Sequence, residues 1–322
     1  MIKHKDLVKG LLPLGPAGVN KHSIKHGWPI ATPPIENNQL HIWLEEDLTI
    51  YKGQLVEIEK YIEHYGDEIE NVIFYSQEKN IKNMYPKLNW VWYPKFNYIT
   101  TENAIAHKDT LEKNFTFAEK TQKFLCLNRA RRTHRDKVCA ILQKQYTNKC
   151  LWSYMERGIA SPDPDDLSLE DYTAMPMYAD VDIDSTNIFS HKMMFRNLKN
   201  LLYMKNLFNK TSFSLVTETR ANLPFDFFSE KTWQCFIALH PALYVSNKHH
   251  VKMLREWGFD VFDDIFDHGY DEVDDNIRIE TLFELNKNVL TNGIDITESV
   301  KSRLIKNQQY YLSDFIKVFP SL

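Results

Sequence analysis

The chain has 322 residues, of which 43% are hydrophobic and 25% are charged, and its formal net charge is −4. This length predicts about two domains, and this composition is typical of a soluble globular chain that buries a sizeable core. The small negative charge excludes a global cationic field that would attract nucleic acid or an anionic membrane, although it leaves a local basic groove open.

Cysteine usage and hydropathy indicate a compartment. The four cysteines (Cys126, Cys139, Cys150, Cys235) form no CxxC pair, which favours buried thiols in a reducing setting. No apolar run approaches the roughly 18 residues of a membrane span, and the first six residues contain no signal-peptide core. We therefore expect a cytoplasmic protein without a membrane span.

The first segment, residues 1–118, shows strand patterns separated by one helical pattern. Apolar, β-branched and aromatic residues predict strands at 39–44, 71–76 and 89–93. Leu55, Ile58 and Ile62 recur at the spacing of a helix between the first two strands. This order predicts a small parallel sheet with helices.

The second segment, residues 119–292, repeats this alternation with longer elements. Its strand patterns lie at 123–128 and 212–216, and its helical patterns lie at 138–142, 191–208 and 277–290. A last amphipathic helix is predicted at 298–318 within a C-terminal segment, 293–322. We therefore predict an α/β chain whose domain boundary falls near residue 118.

A basic cluster follows the strand at 123–128. It reads Asn-Arg-Ala-Arg-Arg-Thr-His-Arg (128–135) and precedes a helical pattern, and its Arg129, Arg132 and Arg135 are spaced by three. A helix N-terminus presents free N–H groups and partial positive charge, and guanidinium groups match phosphate oxygens. The cluster predicts a diphosphate site; the alternative is a solvated cationic face.

A second charged step lies at Ser229-Glu230-Lys231. Ser229 has the character of a helix N-cap, and Glu230 in the first turn suits the helix dipole. Capping alone does not explain Lys231, because a cation opposes the dipole there. We predict that Lys231 contacts a phosphate and Glu230 a ribose hydroxyl; the alternative for Ser229 and Glu230 is plain capping.

Glu218 and Thr219 end the strand pattern at 212–217. Ligands of open α/β sheets bind outside the carboxyl ends of the strands, so both residues are candidates for the same site. A loop charge is the alternative. His240, before Pro241 and the next strand, is interpreted as structural.

Two acidic stretches could bind metal ions, but their patterns are less specific than the charged motifs above. Asp180-Val-Asp182-Ile-Asp184 contains Asp-x-Asp triplets of the kind that bind divalent cations, but a proline at 176 argues against a central strand beside it. The run at 260–275 is acidic but has no EF-hand spacing, which favours a solvated loop with helix caps.

The C-terminal motifs together resemble a known family. Val-Thr-Glu-Thr (216–219), Phe-Ser-Glu-Lys-Thr (228–232), His240-Pro241 and Leu-Arg-Glu-Trp-Gly-Phe (254–259) look like glycosyltransferase-like proteins of large phages and viruses. They are more distantly similar to the fucosyltransferases. The resemblance covers roughly residues 123–290. It implies a GT-B fold, in which two Rossmann-like domains face each other and the C-terminal one binds the nucleotide sugar.

The resemblance also implies inverting transfer without an essential metal, from a UDP- or GDP-linked sugar and with no other cofactor. Donor-binding residues would be Arg129, Arg132, Arg135, Glu218, Thr219, Ser229, Glu230 and Lys231. Since inverting transfer needs a base at the acceptor hydroxyl, Glu45 and Glu46 after the first strand are the candidates; the alternative is an exposed acidic turn. The final segment, 293–322, would pack back toward the N-terminal domain.

The acceptor stays open between a glycan and a hydroxymethylated base of phage DNA, and a viral enzyme would act in the host cytoplasm. Two rival interpretations also stay open. One is a metal-dependent GT-A-type enzyme that uses Asp180 and Asp182. The other is a non-catalytic protein that binds nucleotide or carbohydrate on the same fold.

Overall fold

The chain, described by a computed structural model, divides into two compact units, Met1–Phe96 with Phe319–Leu322 and Asn97–Val318. The predicted domain boundary near residue 118 stays a prediction. The structure describes residues 35–36, 39–44, 71–76, 89–92, 95–128, 132–146, 150–154, 159–160, 201–219, 221 and 227–319.

The first unit contains a four-stranded sheet in the order β1-β2-β3-β4. Its strands are β1 (Ile35–Glu36), β2 (Gln39–Leu44), β3 (Asn71–Ser76) and β4 (Asn89–Trp92). Strands β2, β3 and β4 are parallel, whereas the short β1 pairs antiparallel with β2. The predicted strands and their parallel pairing are confirmed; the helix predicted at Leu55–Ile62 lies outside the described residues.

The second unit contains a five-stranded sheet in the order β7-β6-β5-β8-β9. Its strands are β5 (Gln122–Asn128), β6 (Cys150–Tyr154), β7 (Ile159–Ala160), β8 (Thr211–Thr217) and β9 (Ala242–Val245). The neighbouring strands β6, β5, β8 and β9 are parallel, and β7 pairs antiparallel with β6 at the edge of the sheet. Strands β6, β8 and β9 are buried along their whole length, as expected for parallel strands covered on both faces.

Nine helices and two 3₁₀ turns are described by the structure, and a glycine ends one of the helices. They are α1 (Lys95–Ala106), α2 (Lys108–Asn114), α3 (Thr133–Gln145), α4 (Lys205–Lys210), α5 (Glu230–Ile237), α6 (His250–Glu256), α7 (Arg278–Leu285), α8 (Lys287–Asn292) and α9 (Glu298–Tyr311), with 3₁₀ turns at Gly269–Glu272 and Phe315–Val318. Gly258 closes α6 at φ 91°, and its N–H donates to the Arg255 carbonyl at 3.0 Å.

The helix predicted at 277–290 is interrupted, which corrects that prediction. Asn286 separates α7 from α8 because its side chain is clamped to another segment. Its amide donates to the Asp267 carbonyl at 2.8 Å, and its Oδ1 accepts from the Asp267 N–H at 3.0 Å. The predicted helix at 298–318 likewise ends at Tyr311 and continues as a 3₁₀ turn.

Alternating residues of β8 show that helices cover both faces of the second sheet. Phe213 stacks on Phe124 at 5.2 Å, and Phe124 contacts Tyr146 at the end of α3. The next residue, Ser214, bonds instead to Nδ1 of His240, which follows α5, at 2.7 Å. Since successive side chains of a strand face opposite sides, α3 and α5 cover opposite faces.

An aromatic cluster fixes α5 within the second unit. Trp233 is fully buried and stacks on Tyr311 of α9 at 5.6 Å with an interplanar angle of 10°. Its Nε1 donates to Asn97 Oδ1 at 3.0 Å. Phe236 stacks on Phe259 at 4.0 Å. These contacts place α9 against α5; the predicted contact of segment 293–322 with the N-terminal domain stays a prediction.

Candidate functional site at the carboxyl edge of the second sheet

Strand order in the second sheet reverses between β5 and β8. From β5 the chain crosses through α3 to β6 on one side, and from β8 it crosses through α5 to β9 on the other. Right-handed crossovers in opposite directions place the two helices on opposite faces, in agreement with the side-chain contacts. Such a reversal opens a crevice at the carboxyl ends of the strands, where doubly wound sheets bind ligands.

Glu218 follows β8 and lies at this point, with its side chain fully buried. Its carboxylate accepts from the Ser229 N–H at 3.1 and 3.2 Å and from the Thr232 hydroxyl at 2.6 Å, both at the start of α5. It also accepts from the Thr219 N–H at 3.2 Å. The carboxylate therefore caps α5 from outside the helix; its predicted contact with a donor stays a prediction.

The start of α3 reaches the same residue from the opposite face. His134 Nε2 lies 2.8 Å from the Glu218 carbonyl oxygen, which is an acceptor, so Nε2 carries the ring proton. Arg135 Nη2 donates to the carbonyls of Thr217 and Glu218, both at 3.2 Å. Arg135 is only 2% exposed, so the structure places this predicted phosphate ligand beneath the crevice, against the end of β8.

Arg132 is the N-cap of α3, with extended backbone at φ −150° and ψ 147°. It therefore does not share a helical face with Arg135, although a spacing of three would allow this within a helix. Its N–H donates to the Tyr154 hydroxyl at 3.2 Å, and that hydroxyl donates to Asp136 at 3.3 Å. Tyr154 ends β6, so it ties the neighbouring strand to the start of α3. The Arg132 side chain is half-buried.

The start of α5 carries the second charged group. The Ser229 hydroxyl accepts from the Lys231 N–H at 3.3 Å, which confirms the predicted N-cap. The Lys231 ammonium donates to Thr219 Oγ1 at 3.3 Å, Ser229 Oγ at 3.4 Å and Glu230 Oε1 at 3.0 Å. Side chains of Lys231 and Glu230 are 21% and 26% exposed, so this ion pair stands at the rim of the crevice.

Charged residues at the starts of α3 and α5 influence one another's pKa values. Burial lowers the pKa of His134 to about 4; the bond to the Glu218 carbonyl opposes this, while the charges of Arg135, Arg132 and Lys231 add to it. Burial would raise the pKa of Glu230, but the Lys231 ammonium and its hydrogen bond, with a smaller part from Arg135, bring that pKa below its ordinary value. His134 is therefore neutral and Glu230 charged at neutral pH.

A buried polar layer lies behind these residues. His250 Nε2 is 3.3 Å from Thr232 Oγ1, and its Nδ1 is 2.9 Å from Ser246 Oγ, at the end of β9. The Thr217 hydroxyl donates to Asn128 Oδ1 and so joins the ends of β8 and β5. These bonds leave the strand ends on both sides of the reversal fixed from within the core.

The remaining predicted site residues lie outside the described residues. They are Arg129 of the donor set, the candidate bases Glu45 and Glu46, and the alternative metal ligands Asp180 and Asp182. Within the described residues, no group of His, Cys, Asp or Glu side chains is arranged to hold a metal ion. His240 is 2% exposed and bonds to Ser214 Oγ and to the Thr211 carbonyl at 2.7 Å each, which agrees with its structural interpretation.

Three residues of the site were missed by sequence reasoning. His134 lay within the basic cluster but was given no role. Thr232 directly follows Lys231, so its position beside the charged step was the signal that could have found it. Tyr154 was missed because the strand Cys-Leu-Trp-Ser-Tyr (150–154) was not predicted, although it is a short apolar run that ends in a polar tip. A search for every buried strand would have found its carboxyl end.

Comparison with known proteins identifies no family for this chain. No protein-family model matches the chain, and neither the curated proteins nor the solved structures give a significant match. Among the helices described by the structure, none is both long and apolar enough to cross a membrane. The residues present nonetheless define a chemistry. Arg132 and Lys231 both act electrostatically on His134, between the starts of α3 and α5, and such cations beside helix N–H groups suit an anion.

Proposed function

We propose that this chain is a nucleotide-sugar-dependent glycosyltransferase whose donor binds between the ends of β5 and β8. The observation that supports it best is the convergence of Arg132, Lys231 and the starts of α3 and α5 at the strand-order reversal. Guanidinium and ammonium groups next to helix N–H groups suit a diphosphate. The Thr-Glu-Thr and Ser-Glu-Lys motifs, which resemble those of GT-B enzymes, lie at this same edge.

In this proposal the two units correspond to the two Rossmann-like domains of a GT-B enzyme. The second unit binds the donor, with Lys231 on the diphosphate and Glu230 on the ribose. The first unit binds the acceptor, with Glu45 or Glu46 as the base. Its parallel strands β2, β3 and β4 agree with such a domain but do not by themselves define it.

The proposed reaction is a direct displacement with inversion. The acceptor hydroxyl oxygen attacks the anomeric carbon, and the bond from that carbon to the diphosphate oxygen breaks. The diphosphate leaves with the bonding electron pair, and the carboxylate base takes the acceptor proton. Lys231, Arg132 and the helix N–H groups stabilise the charge that develops on the leaving group.

A panel of UDP-, GDP-, ADP-, dTDP- and CMP-linked sugars tests this proposal, by thermal shift and by slow donor hydrolysis, with and without chelator. We expect one nucleotide family to stabilise the protein and to be hydrolysed slowly in the presence of chelator. Activity that disappears with chelator and returns with manganese would move the reaction to Asp180 and Asp182. Stabilisation without any hydrolysis or transfer would identify a binding protein, and no stabilisation by any donor would overturn the proposal.

A further inference from the structure

Glu218 is bonded to two helices through two different parts of the residue. Its backbone carbonyl accepts from His134 and Arg135 at the start of α3. Its carboxylate accepts from Ser229 and Thr232 at the start of α5. Since α3 and α5 cover opposite faces of the sheet, this one residue links the helix starts on the two sides of the crevice.

Both carboxylate oxygens of Glu218 are already hydrogen-bonded to groups of the chain. Oε1 accepts from Ser229 N–H and the Thr232 hydroxyl, and Oε2 accepts from Ser229 N–H and Thr219 N–H. A charged carboxylate only accepts hydrogen bonds, and here its donors all come from the chain. With the side chain fully buried, a sugar or ribose hydroxyl would have to displace one of these bonds.

A second layer orients the hydroxyl that Glu218 uses. Thr232 is fully buried, and its hydroxyl donates to Glu218 while its oxygen lies 3.3 Å from His250 Nε2. His250 Nδ1 in turn lies 2.9 Å from Ser246 Oγ. Burial lowers the pKa of His250 to about 3, so the ring is neutral and its two nitrogens keep distinct donor and acceptor roles.

We propose that Glu218 is a positioning residue that sets the separation of the two helix starts, so that the crevice selects a diphosphate over a single phosphate. This inference rests on the proposed function, because it concerns the same anion site. It differs from the sequence-based expectation that Glu218 contacts the donor. Because a diphosphate has two anionic groups, we expect one of them at each helix start, whereas a single phosphate would occupy one helix start alone.

Glu218→Gln is the direct test, because it keeps the size of the side chain and removes its charge. One carboxylate oxygen becomes an NH₂ group that faces the N–H donors of Ser229 or Thr219. The binding of inorganic pyrophosphate and of orthophosphate is measured by calorimetry, together with the UDP/UMP and GDP/GMP pairs. We expect the preference for the diphosphate member of each pair to fall by about tenfold, since one charge-assisted bond is lost.

Two further variants separate positioning from general loss of stability. Thr232→Val removes one donor to Glu218 without changing the shape of the side chain, and we expect a smaller fall of the same preference. Ser214→Ala removes a buried bond between the middle of β8 and His240, away from the carboxyl end of the strand. It should lower stability and leave the preference unchanged. An unchanged preference in both Glu218→Gln and Thr232→Val would overturn the proposal, as would an equal loss for pyrophosphate and orthophosphate.

Hydrogen exchange keeps this test distinct from the test of function. In Glu218→Gln we expect faster exchange of the Ser229 and Thr219 amides, with the β9 amides unchanged. If the wild-type protein binds neither pyrophosphate nor any nucleoside diphosphate, the proposed function fails, and diphosphate selection fails with it. Unchanged exchange at Ser229 in the variant would show that Glu218 does not position α5, whether or not nucleotides bind.

Discussion

Two of the helices that begin at the carboxyl edge of the second sheet, α5 and α6, are each capped by a buried carboxylate from elsewhere in the chain. Glu218 caps α5, which follows β8. Asp271 caps α6, which follows β9, by accepting from the Val251 and Lys252 N–H groups at 3.2 and 2.9 Å. Asp271 is 4% exposed, so both carboxylates solve the same problem of free N–H groups inside the protein.

The surroundings of the two caps differ in charge. Next to the cap of α5, the charges of Arg132, Arg135 and Lys231 all act on His134, whose Nε2 donates to the Glu218 carbonyl. Beside the cap of α6 lies a hollow of about 550 Å³, lined by acidic side chains that include Asp263, and by Arg255, which is already paired with Asp263 at 2.6 Å. Burial raises the pKa of Asp271, although the bonds from Lys252 and Val251 oppose the rise. A helix start therefore becomes a candidate anion site through its neighbouring cations, and not through its N–H groups alone.

The largest expected effect is a loss of stability at acidic pH. It involves His250, which belongs to both regions. This residue begins α6 and bonds to Thr232 of α5. Burial lowers the pKa of His250 and of His240 to about 3 and that of His134 to about 4. Since the unfolded rings titrate near pH 6.5, the unfolded chain binds more protons between these values. The stability that these neutral rings contribute is thus fully present above about pH 6.5 and is lost as the pH falls toward the folded pKa values.

Unfolding by urea at a series of pH values measures this loss. Three such rings correspond to roughly 5 kcal/mol of unfolding free energy lost between about pH 6.5 and pH 5. His250→Gln should be less stable at neutral pH, but its loss over this pH range should be about a third smaller. A free energy of unfolding that stays constant over the range would contradict the burial of the three rings in neutral form.

Much of the secondary structure was predictable because its signals are local. The strands at 39–44 and 71–76 and the N-cap Ser229 each depend on residues close in sequence. The parallel α/β character follows from the alternation of strand and helix patterns. These predictions needed no knowledge of which strands are neighbours.

The arrangement of the site was less predictable because it depends on strand order and side-chain direction. The sequence placed Glu218 and Arg135 at the right edge but could not show that both are buried against the chain. That outcome follows from β8 lying next to β5, which brings α3 onto residues far along the sequence. The break at Asn286 has the same origin, since its partner Asp267 belongs to another segment.

The next effect compares the two lysines in the first turns of these helices. Lys231→Ala should weaken nucleoside diphosphate binding by about 10- to 100-fold, which corresponds to the loss of a hydrogen bond from a charged group. Lys252→Ala is the matched control, because this exposed lysine lies in the first turn of α6. It should leave binding unchanged. Equal losses in the two variants, measured by calorimetry, would mean that net charge and not the α5 site determines affinity.

A smaller effect is expected from the cap of α6. Asp271→Asn replaces one acceptor by a donor that faces the Val251 or Lys252 N–H, and should cost about 1–2 kcal/mol of unfolding free energy. Diphosphate binding should be unchanged, in contrast to Glu218→Gln, in which stability and diphosphate preference fall together. Chemical denaturation measures the stability of both variants, and calorimetry measures their diphosphate binding. Weaker diphosphate binding in Asp271→Asn would extend the anion site to α6 and remove the distinction between the two caps.

The smallest effect concerns the ion pair that lies beside α6. Arg255 donates to Asp263 through Nε at 3.1 Å and through Nη2 at 2.6 Å, but the two side chains are 46% and 57% exposed. Solvent screens such a pair, so Asp263→Asn should change the unfolding free energy by less than about 1 kcal/mol. The side-chain bond from Arg255 holds the pKa of Asp263 below its ordinary value, so this small contribution is present at neutral pH and is lost as the pH falls through that lowered pKa. Asp263→Asn also frees Arg255 from its carboxylate, and pyrophosphate should still bind only at α5. Pyrophosphate binding at a second site in this variant would show that one unpaired arginine converts the acidic region into an anion site.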